Sequence, residues 1–172
     1  MAERIFQLTR QNATGTSLGP GICGAMTARW IRESLRFGRD LLSADQLGSL
    51  HNIAVAQSAY EIGHNKSGTS ALLDSYNLSV TRMLNGNGIG SIGIVNQVLS
   101  LKGYVHFFWW PGAGFGHFIG FRIAPPNYMF FDPNMGLYKC RDAVDLVATG
   151  ANIMAGYSFN GGGYVAREVT SS

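Results

Sequence analysis

The order of two hydrophobic patterns is the feature that most constrains the fold of this chain. Up to about residue 103, apolar residues recur at helical spacing in stretches that end at glycine. After that point, short segments rich in aromatic and β-branched residues alternate with Gly, Pro and Asn, which is typical of strands joined by turns. Helices first and an antiparallel sheet second predict an α+β fold.

The same patterns indicate approximate bounds for each element. Gly38 is expected to end the first helix, and Ser43 begins the second, where Gln46 completes a capping box. The predicted helices are residues 25–37, 43–62, 70–84, 91–101 and 142–148. The predicted strands are residues 104–110, 117–124, 128–131, 153–159 and 164–169.

The length of the chain predicts a single domain. A chain of 172 residues buries roughly 70% of the surface that its unfolded form exposes, which is enough for a hydrophobic core. No repeat or low-complexity linker divides it. We therefore assign residues 1–172 to one domain, made of a polar, Gly-rich N-terminal arm (1–20), a helical half (21–103) and a sheet half (104–172).

Charge and segment composition argue against several classes of protein. The net charge of +3 is too small to indicate nucleic-acid binding by itself. The chain lacks the apolar run of roughly eighteen residues that predicts a transmembrane helix, and residues 1–4 lack the apolar stretch of a signal peptide. The two cysteines, Cys23 and Cys140, are too few for a disulfide framework and, if unpaired, favour a reducing compartment.

Four arginines lie close to one stripe of the first predicted helix. This stripe is either a solvated helix face or a surface for an acidic partner or an anionic membrane. Its members are Arg29, Arg32, Arg36 and Arg39.

Cys23 is the first candidate for chemistry. It lies between Gly21 and Gly24 at the start of the first predicted helix. Backbone N–H groups and the helix dipole favour an anion at that position, so a thiolate there would be stabilised and more reactive. The alternative is a small buried side chain, because free cysteine is often buried.

His117 and Asp132 become more informative as a pair. Alone, His117 resembles a core histidine at the start of an apolar strand, and Asp132 belongs to a plausible Asp-Pro-Asn turn. However, the turn at residues 125–127 makes their two strands antiparallel neighbours, so the start of the first lies beside the end of the second. We therefore expect an imidazole–carboxylate hydrogen bond at one edge of the sheet, with Cys23 packed against it.

Three patches of the chain resemble the YopT-type, papain-like cysteine proteases of bacterial effectors. They are Gly21–Cys23 with Ala28–Ile31 following, Gly116–His117, and Phe131–Gly136, which is similar to the turn that carries the triad aspartate in that family. The resemblance implies a papain-like fold. It also implies that Cys23 is the nucleophile, His117 the general base and Asp132 the residue that orients the histidine.

The same resemblance implies a function. It predicts hydrolysis of a protein substrate in a host or target cell, after delivery by a secretion system without a cleavable signal peptide. Residence in the bacterial cytoplasm is the alternative. Some family members act near polybasic tails, but a domain with net positive charge and an arginine stripe does not match such a substrate, so that specificity is not carried over.

The chain departs from the papain-like pattern at the oxyanion hole. Papain-like enzymes usually place an amide side chain a few residues before the cysteine, where this chain has Ser17 and Leu18. The nearest amide is Asn12. We therefore expect Ser17, Asn12 or the backbone N–H of Cys23 to stabilise the oxyanion.

The remaining candidates have simpler interpretations. Trp109 and Trp110 either pack in the core and at the sheet edge or line a substrate cleft. The GxGxxG match at residues 88–93 follows a helical pattern and lacks the later acidic residue, so it is read as a loop. No cofactor or metal is predicted, because three histidines show no ligand spacing with each other or with a cysteine: His51, His64 and His106.

The sequence thus predicts a cysteine protease. The same Cys-His-Asp set and an acyl-thioester would also serve a glutamine deamidase, a transglutaminase or a peptidoglycan amidopeptidase. A binding module that keeps the fold without the activity is the alternative outside enzymes.

Overall fold

The computed structural model describes residues 1–8, 22–49, 52–57, 69–88, 90–110, 116–157 and 162–172. The strands are β1 (Glu3–Gln7), β2 (Leu78–Asn87), β3 (Gly103–Trp110), β4 (His117–Ala124), β5 (Asn127–Asp132), β6 (Gly136–Cys140) and β7 (Gly163–Ser171). The α-helices are α1 (Cys23–Phe37), α2 (Thr69–Ser75), α3 (Ser91–Val98) and α4 (Ala143–Ala155). Residues Ala44–Leu47 form a 3-10 helix, and residues 52–57 are also helical.

The described strands form one antiparallel sheet in the order β1-β6-β5-β4-β3-β7-β2. A two-residue turn joins β4 to β5, with Ala124 opposite Asn127. These two strands lie near the middle of the sheet. The end of the sheet where β4 begins and β5 ends is therefore supported by neighbouring strands on both sides.

Helix α1 packs on one face of the sheet and brings its N-terminus to that end. Trp30 is fully buried, stacks on Phe131 at 5.1 Å between ring centroids, and contacts Tyr104 edge-on at 5.4 Å. As predicted, the helix ends at Gly38, which adopts the left-handed conformation (φ 64°) that glycine tolerates best.

Helices α3 and α4 cover the opposite face. They enclose a second core built largely from aromatic side chains of the central strands. Phe107, Phe121 and Phe130 are fully buried there. Aromatic burial of this kind supplies much of the stability of a small domain.

The predicted α+β class is confirmed, but two of the predicted elements are wrong. The helix expected over residues 70–84 ends at Ser75, and the chain reverses at Asn77 (φ 55°) and continues as β2. Residues 153–155, where a strand over residues 153–159 was expected to begin, are the last residues of α4, and residues 158–159 lie outside the described residues. In both places a tertiary contact outweighs the local pattern: β2 pairs with β7, and Met154 is buried in the core under α4.

The N-terminal segment and the second predicted helix also differ from expectation. Residues Glu3–Gln7, which were assigned to a polar arm, form β1 and pair with β6 at the edge of the sheet. The capping box of Ser43 and Gln46 is present, but it begins a 3-10 helix that ends at Leu47. Gly63, the expected stop of that helix, lies outside the described residues. The assignment of residues 1–172 to one domain stays a prediction.

Candidate active site

Cys23 is the first residue of α1 and is half-buried, so its sulfur lies at the end of the helix that carries free N–H groups. The side chain of Gln57 reaches this end from a distant part of the chain, and its Oε1 accepts a hydrogen bond from Ala25 N–H at 2.9 Å. A Cβ added at Gly24 would lie 3.1 Å from Gln57 Oε1 and 3.2 Å from the Phe118 ring, so a larger residue there would need both side chains to move by a few tenths of an ångström. The N-terminus of the helix is thus held closely against its neighbours.

His117 and Asp132 meet as the hairpin predicts. His117 begins β4 and Asp132 ends β5, and His117 Nε2 lies 3.1 Å from Asp132 Oδ1. Both side chains are removed from solvent, with Asp132 fully buried. The hydrogen bond to Asp132 occupies Nε2, which leaves Nδ1 as the ring nitrogen available to Cys23.

The electrostatics of His117 connect the three residues. Burial by itself lowers the pKa of His117, but hydrogen bonds with Asp132 and Cys23, together with the negative charges of these two groups, raise it to about 9. The imidazole therefore holds its proton at neutral pH. A protonated imidazole between a carboxylate and a sulfur is the arrangement that stabilises a thiolate.

Tyr157 and Asn134 hold the carboxylate of Asp132 in place. The Tyr157 hydroxyl donates to this carboxylate, at 2.8 Å from Oδ2 and 3.0 Å from Oδ1, and the Asn134 N–H donates to Oδ1 at 2.7 Å. The Asn134 side-chain amide in turn donates to the Tyr157 oxygen at 3.0 Å. The Tyr157 ring also stacks on His117, with centroids 4.6 Å apart, so one residue restrains both the acid and the histidine.

Solved structures with the same fold include an avirulence protein, a cysteine protease-like domain and a ubiquitin-specific protease. The Pseudomonas avirulence protein AvrPphB matches with a TM-score of 0.67 at 16% sequence identity, over 95% of this chain and 96% of that one. This chain has a YopT-like, papain-like cysteine protease fold. At such identity the likeness concerns the fold, and no protein-family model and no curated protein matches the sequence.

Two further structures share this fold. The cysteine protease-like domain of the Photorhabdus asymbiotica toxin PaTox matches with a TM-score of 0.54 at 14% identity, over 98% of this chain and 53% of that one. The ubiquitin-specific protease of the murine cytomegalovirus tegument protein M48, solved with a ubiquitin-based suicide substrate, gives a TM-score of 0.54 at 15% identity, over 100% and 87% of the two chains.

Two residues around the site, Tyr157 and Gln57, were missed by sequence reasoning, and a third, His106, was predicted to be structural. Tyr157 lies in a segment that was read as a strand, and Gln57 had no local signal because its partner is 32 residues away. His106, read as structural, donates its Nε2–H to the carbonyl oxygen of Gly24 at 3.1 Å. Complete burial lowers the pKa of His106 to about 3, so it stays neutral and acts as a fixed hydrogen-bond donor to the first turn of α1.

The other predicted site residues are placed less directly. Trp109 is buried and contacts His117 edge-on at 5.3 Å, so it packs beside the histidine in the core. Trp110 is half-buried and stacks on Phe108, and its role in a substrate cleft stays a prediction. Ser17 and Asn12, the expected oxyanion donors, lie outside the described residues.

The two cysteines have different environments. Both are free, but Cys140 is buried on β6, and burial raises the pKa of its thiol to about 11. Cys140 is therefore a neutral thiol at physiological pH and a poor nucleophile. Cys23 and Cys140 therefore differ in expected reactivity as well as in position.

We expect iodoacetamide at pH 7 to modify Cys23 in the folded protein and to leave Cys140 unmodified until the chain is unfolded. The physical reason is that the Cys23 sulfur is half-buried and hydrogen-bonded to the protonated His117, whereas Cys140 is buried and the pKa of its thiol is raised to about 11. Peptide mapping by mass spectrometry, with Cys23→Ala as the control, measures this.

Unfolding without reductant should release two titratable thiols. No titratable thiol would indicate a Cys23–Cys140 bridge, and a single thiol would indicate that one cysteine had been oxidised in another way.

Proposed function

We propose that this protein is a cysteine protease in which Cys23 is the nucleophile, His117 the general base and acid, and Asp132 the residue that orients the imidazole. One observation carries the proposal. The hydrogen bonds that His117 makes with Cys23 and with Asp132 link a sulfur at a helix N-terminus to a buried carboxylate. Because the pKa of His117 is raised to about 9, its imidazole is protonated at neutral pH.

The geometry supports acyl transfer in two steps. The Cys23 thiolate attacks the carbonyl carbon of the scissile amide, and the carbonyl oxygen becomes an oxyanion. His117 then donates its Nδ1 proton to the leaving nitrogen, so the C–N bond breaks and a thioester forms. In the second step His117 takes a proton from water, the hydroxide attacks the thioester, and the carboxylic acid leaves as the Cys23 thiolate and the protonated His117 are restored.

The oxyanion needs hydrogen-bond donors near the Cys23 sulfur. The N–H groups of Ala25 and Met26 are already bonded, to Gln57 Oε1 and to the Ile22 carbonyl oxygen. Within the described residues no partner is found for the Cys23 N–H, which is the first donor. Because Gln57 Oε1 is bonded to this helix end, its Nε2, with two N–H groups, lies near it as well, and we assign Gln57 as the second donor.

The role of Gln57 can be separated from a purely structural one. Gln57→Ala should lower kcat by about 100-fold with little change in KM, because an oxyanion contact forms mainly in the transition state. Gln57→Glu keeps the oxygen that accepts from Ala25 N–H but removes the N–H donors, so it should lose as much. If Gln57→Glu stays active, Gln57 only positions the helix.

The matched variants are Ser17→Ala and Asn12→Ala, which test the donors expected from the sequence. A loss of kcat of more than about tenfold in either of them, with full activity in Gln57→Ala, would assign the second donor to the segment before Cys23. Steady-state kinetics on one peptide substrate compare all four variants.

A protein substrate in a host or target cell, reached by secretion, is the biological setting that we propose. The neighbours with this fold include an avirulence protein, a toxin domain and a ubiquitin-specific protease, which supports this setting. The helices of the described residues are all too short or too polar to cross a membrane.

The test of the function is the identification of new protein N-termini in cells that express the active protein, with cells expressing Cys23→Ala as the control. The proposal expects cleavage products that are absent from the control. Release of ammonia without new N-termini would instead indicate a glutamine deamidase on the same fold. If the two cell populations contain the same protein N-termini and Cys23 is unreactive, the protein is a binding module.

A further inference from the structure

A cavity lies away from the candidate active site, between α1, the helical residues 52–57 and α2. Its volume is about 340 Å³, which is within the range of small-molecule sites. None of the three proposed catalytic residues lines it. Its polar lining groups are Arg29, Arg32, Ser49, Asn52, Ser75 and Tyr76, so within the described part of the chain the lining holds two cations and no carboxylate.

The arginines of this cavity belong to a cluster with excess positive charge. The carboxylate of Glu33 is buried, and its oxygens lie 3.1 Å from Arg29 Nη2, 3.7 Å from Arg32 Nη1 and 2.6 Å from Arg36 Nε. One negative charge therefore faces three guanidinium groups. The salt bridges restrain the arginines, and among the described residues Glu33 is the only carboxylate that pairs with these three guanidinium groups.

The two lining arginines differ from an ordinary solvated helix face. The side chains of Arg29 and Arg32 are 28% and 35% exposed, whereas that of Arg36, outside the cavity, is 58% exposed. Arg29 Nε also donates to the Leu47 carbonyl oxygen at 3.1 Å, which further fixes its guanidinium. Partly desolvated, immobilised guanidinium groups bind anions more strongly than mobile ones on a surface.

Tyr76, Ser49 and Asn52, which also line the cavity, carry hydrogen-bond donors. The charges of Arg29 and Arg32 both act on the Tyr76 hydroxyl: burial raises the pKa of Tyr76, and the two guanidinium groups oppose this rise. The hydroxyl therefore stays protonated at neutral pH and faces the same positive field. Ser49 and Asn52 line the same cavity and carry further hydrogen-bond donors.

We propose that this cavity binds the phosphate group of a small phosphorylated molecule, with Arg29 and Arg32 pairing with the phosphate oxygens and the Tyr76 hydroxyl donating a further hydrogen bond. A phosphate matches the planar donor fork of arginine and carries the charge that the cluster lacks. A volume of 340 Å³ equals about ten water molecules in the liquid, so the site has room for more than a bare ion. This inference does not depend on the proposed protease activity.

The experiment is isothermal titration calorimetry of the full chain with inorganic pyrophosphate at fixed ionic strength. The proposal expects saturable binding to one site. Arg32→Gln should raise the Kd by about tenfold or more, because it removes a charged hydrogen-bond donor from the cavity. The matched control is Arg36→Gln, which removes the same charge from the same Glu33 but does not line the cavity, and it should change the Kd less than about threefold.

Two results would overturn the proposal. Absence of saturable binding up to about 10 mM pyrophosphate is one, since a Kd weaker than this is worth less than about 3 kcal/mol. An equal loss of affinity in Arg32→Gln and Arg36→Gln is the other, because it would indicate diffuse attraction by the helix face. If Arg32→Gln fails to fold, Tyr76→Phe replaces it, keeping the ring and removing the hydroxyl, and binding that it leaves unchanged would overturn the assigned contact.

A phosphate group can also be presented by a lipid. Co-sedimentation with phosphatidylcholine vesicles that contain a phosphoinositide distinguishes the two sources. Binding to these vesicles that is lost in Arg32→Gln but kept in Arg36→Gln assigns the phosphate to a lipid headgroup. Pyrophosphate binding without vesicle binding assigns it to a soluble phosphate ester.

Discussion

Replacing Cys23 with alanine is expected to abolish peptide-bond hydrolysis, with a fall in kcat/KM of about 10⁵-fold or more. Loss of the attacking atom removes covalent catalysis altogether, and a triad without its nucleophile keeps only the contribution of binding and oxyanion stabilisation. The side chain is half-buried at the start of α1 and its removal leaves the helix N-terminus in place, so the variant should stay folded. Steady-state kinetics on a peptide substrate, with circular dichroism as a check of folding, measure the effect.

The control for this change is Cys140→Ala, which should keep most of the activity. Cys140 is buried on β6, and the raised pKa of its thiol keeps it uncharged and unreactive at neutral pH. Its replacement can lower stability by leaving a small cavity, but it does not touch the reaction. Equal loss of activity in both variants would show that Cys23 has been wrongly assigned as the nucleophile.

Replacing Asp132 with alanine is expected to lower kcat/KM by about 10³- to 10⁴-fold, which is the scale seen when the acid of a triad no longer orients its histidine. Asp132 is fully buried and accepts hydrogen bonds from His117, Tyr157 and the Asn134 N–H. The alanine variant leaves these donors unsatisfied, at a cost of about 1–3 kcal/mol for each donor that water cannot reach. Thermal unfolding should therefore show a lower but cooperative transition, while the kinetics show the larger effect.

Asp132→Asn separates the charge of the residue from its hydrogen bonds. Asparagine keeps a carbonyl oxygen for His117 Nε2–H and the local turn, so the loss of activity should be partial. Protonated His117 is the active form, and activity is lost as the pH rises through its pKa, which is about 9. Without the negative charge beside it, the imidazolium is less stable, so the alkaline limb of the kcat/KM profile should move to lower pH.

Two outcomes would contradict the assigned role of Asp132. Unchanged kinetics for a folded Asp132→Ala protein would remove it from the triad and leave a Cys23–His117 dyad. An alkaline limb that stays near pH 9 in Asp132→Asn would show that the charge of Asp132 does not support the imidazolium. In that case the raised pKa of His117 would arise from Cys23 and from the hydrogen bond that asparagine keeps.

Local sequence was sufficient to predict contacts between groups that are close along the chain. The two-residue turn after Ala124 and the apolar strands on either side set the register of one hairpin, and that register brings His117 to Asp132, only 15 residues apart. The glycine context of Cys23 likewise predicted a helix start, which is where α1 begins. Periodicity and turn chemistry act over a few residues, so they are readable without a tertiary structure.

Packing between distant segments decided the rest. Residues 78–84 have a pattern that suits a helix, yet they form β2 because β7 offers a paired partner from the far end of the chain. Gln57 contacts Ala25, which is 32 residues away in the sequence. Tyr157 contacts Asp132, which is 25 residues away, and it follows a helix that the local pattern predicted to end earlier, at residue 148. The contact between His117 and Asp132 and the position of Cys23 at a helix start were therefore predictable from the sequence by itself. The residues that hold them in place depended on the tertiary structure, because hydrogen bonds between distant segments leave no periodic signal in the chain.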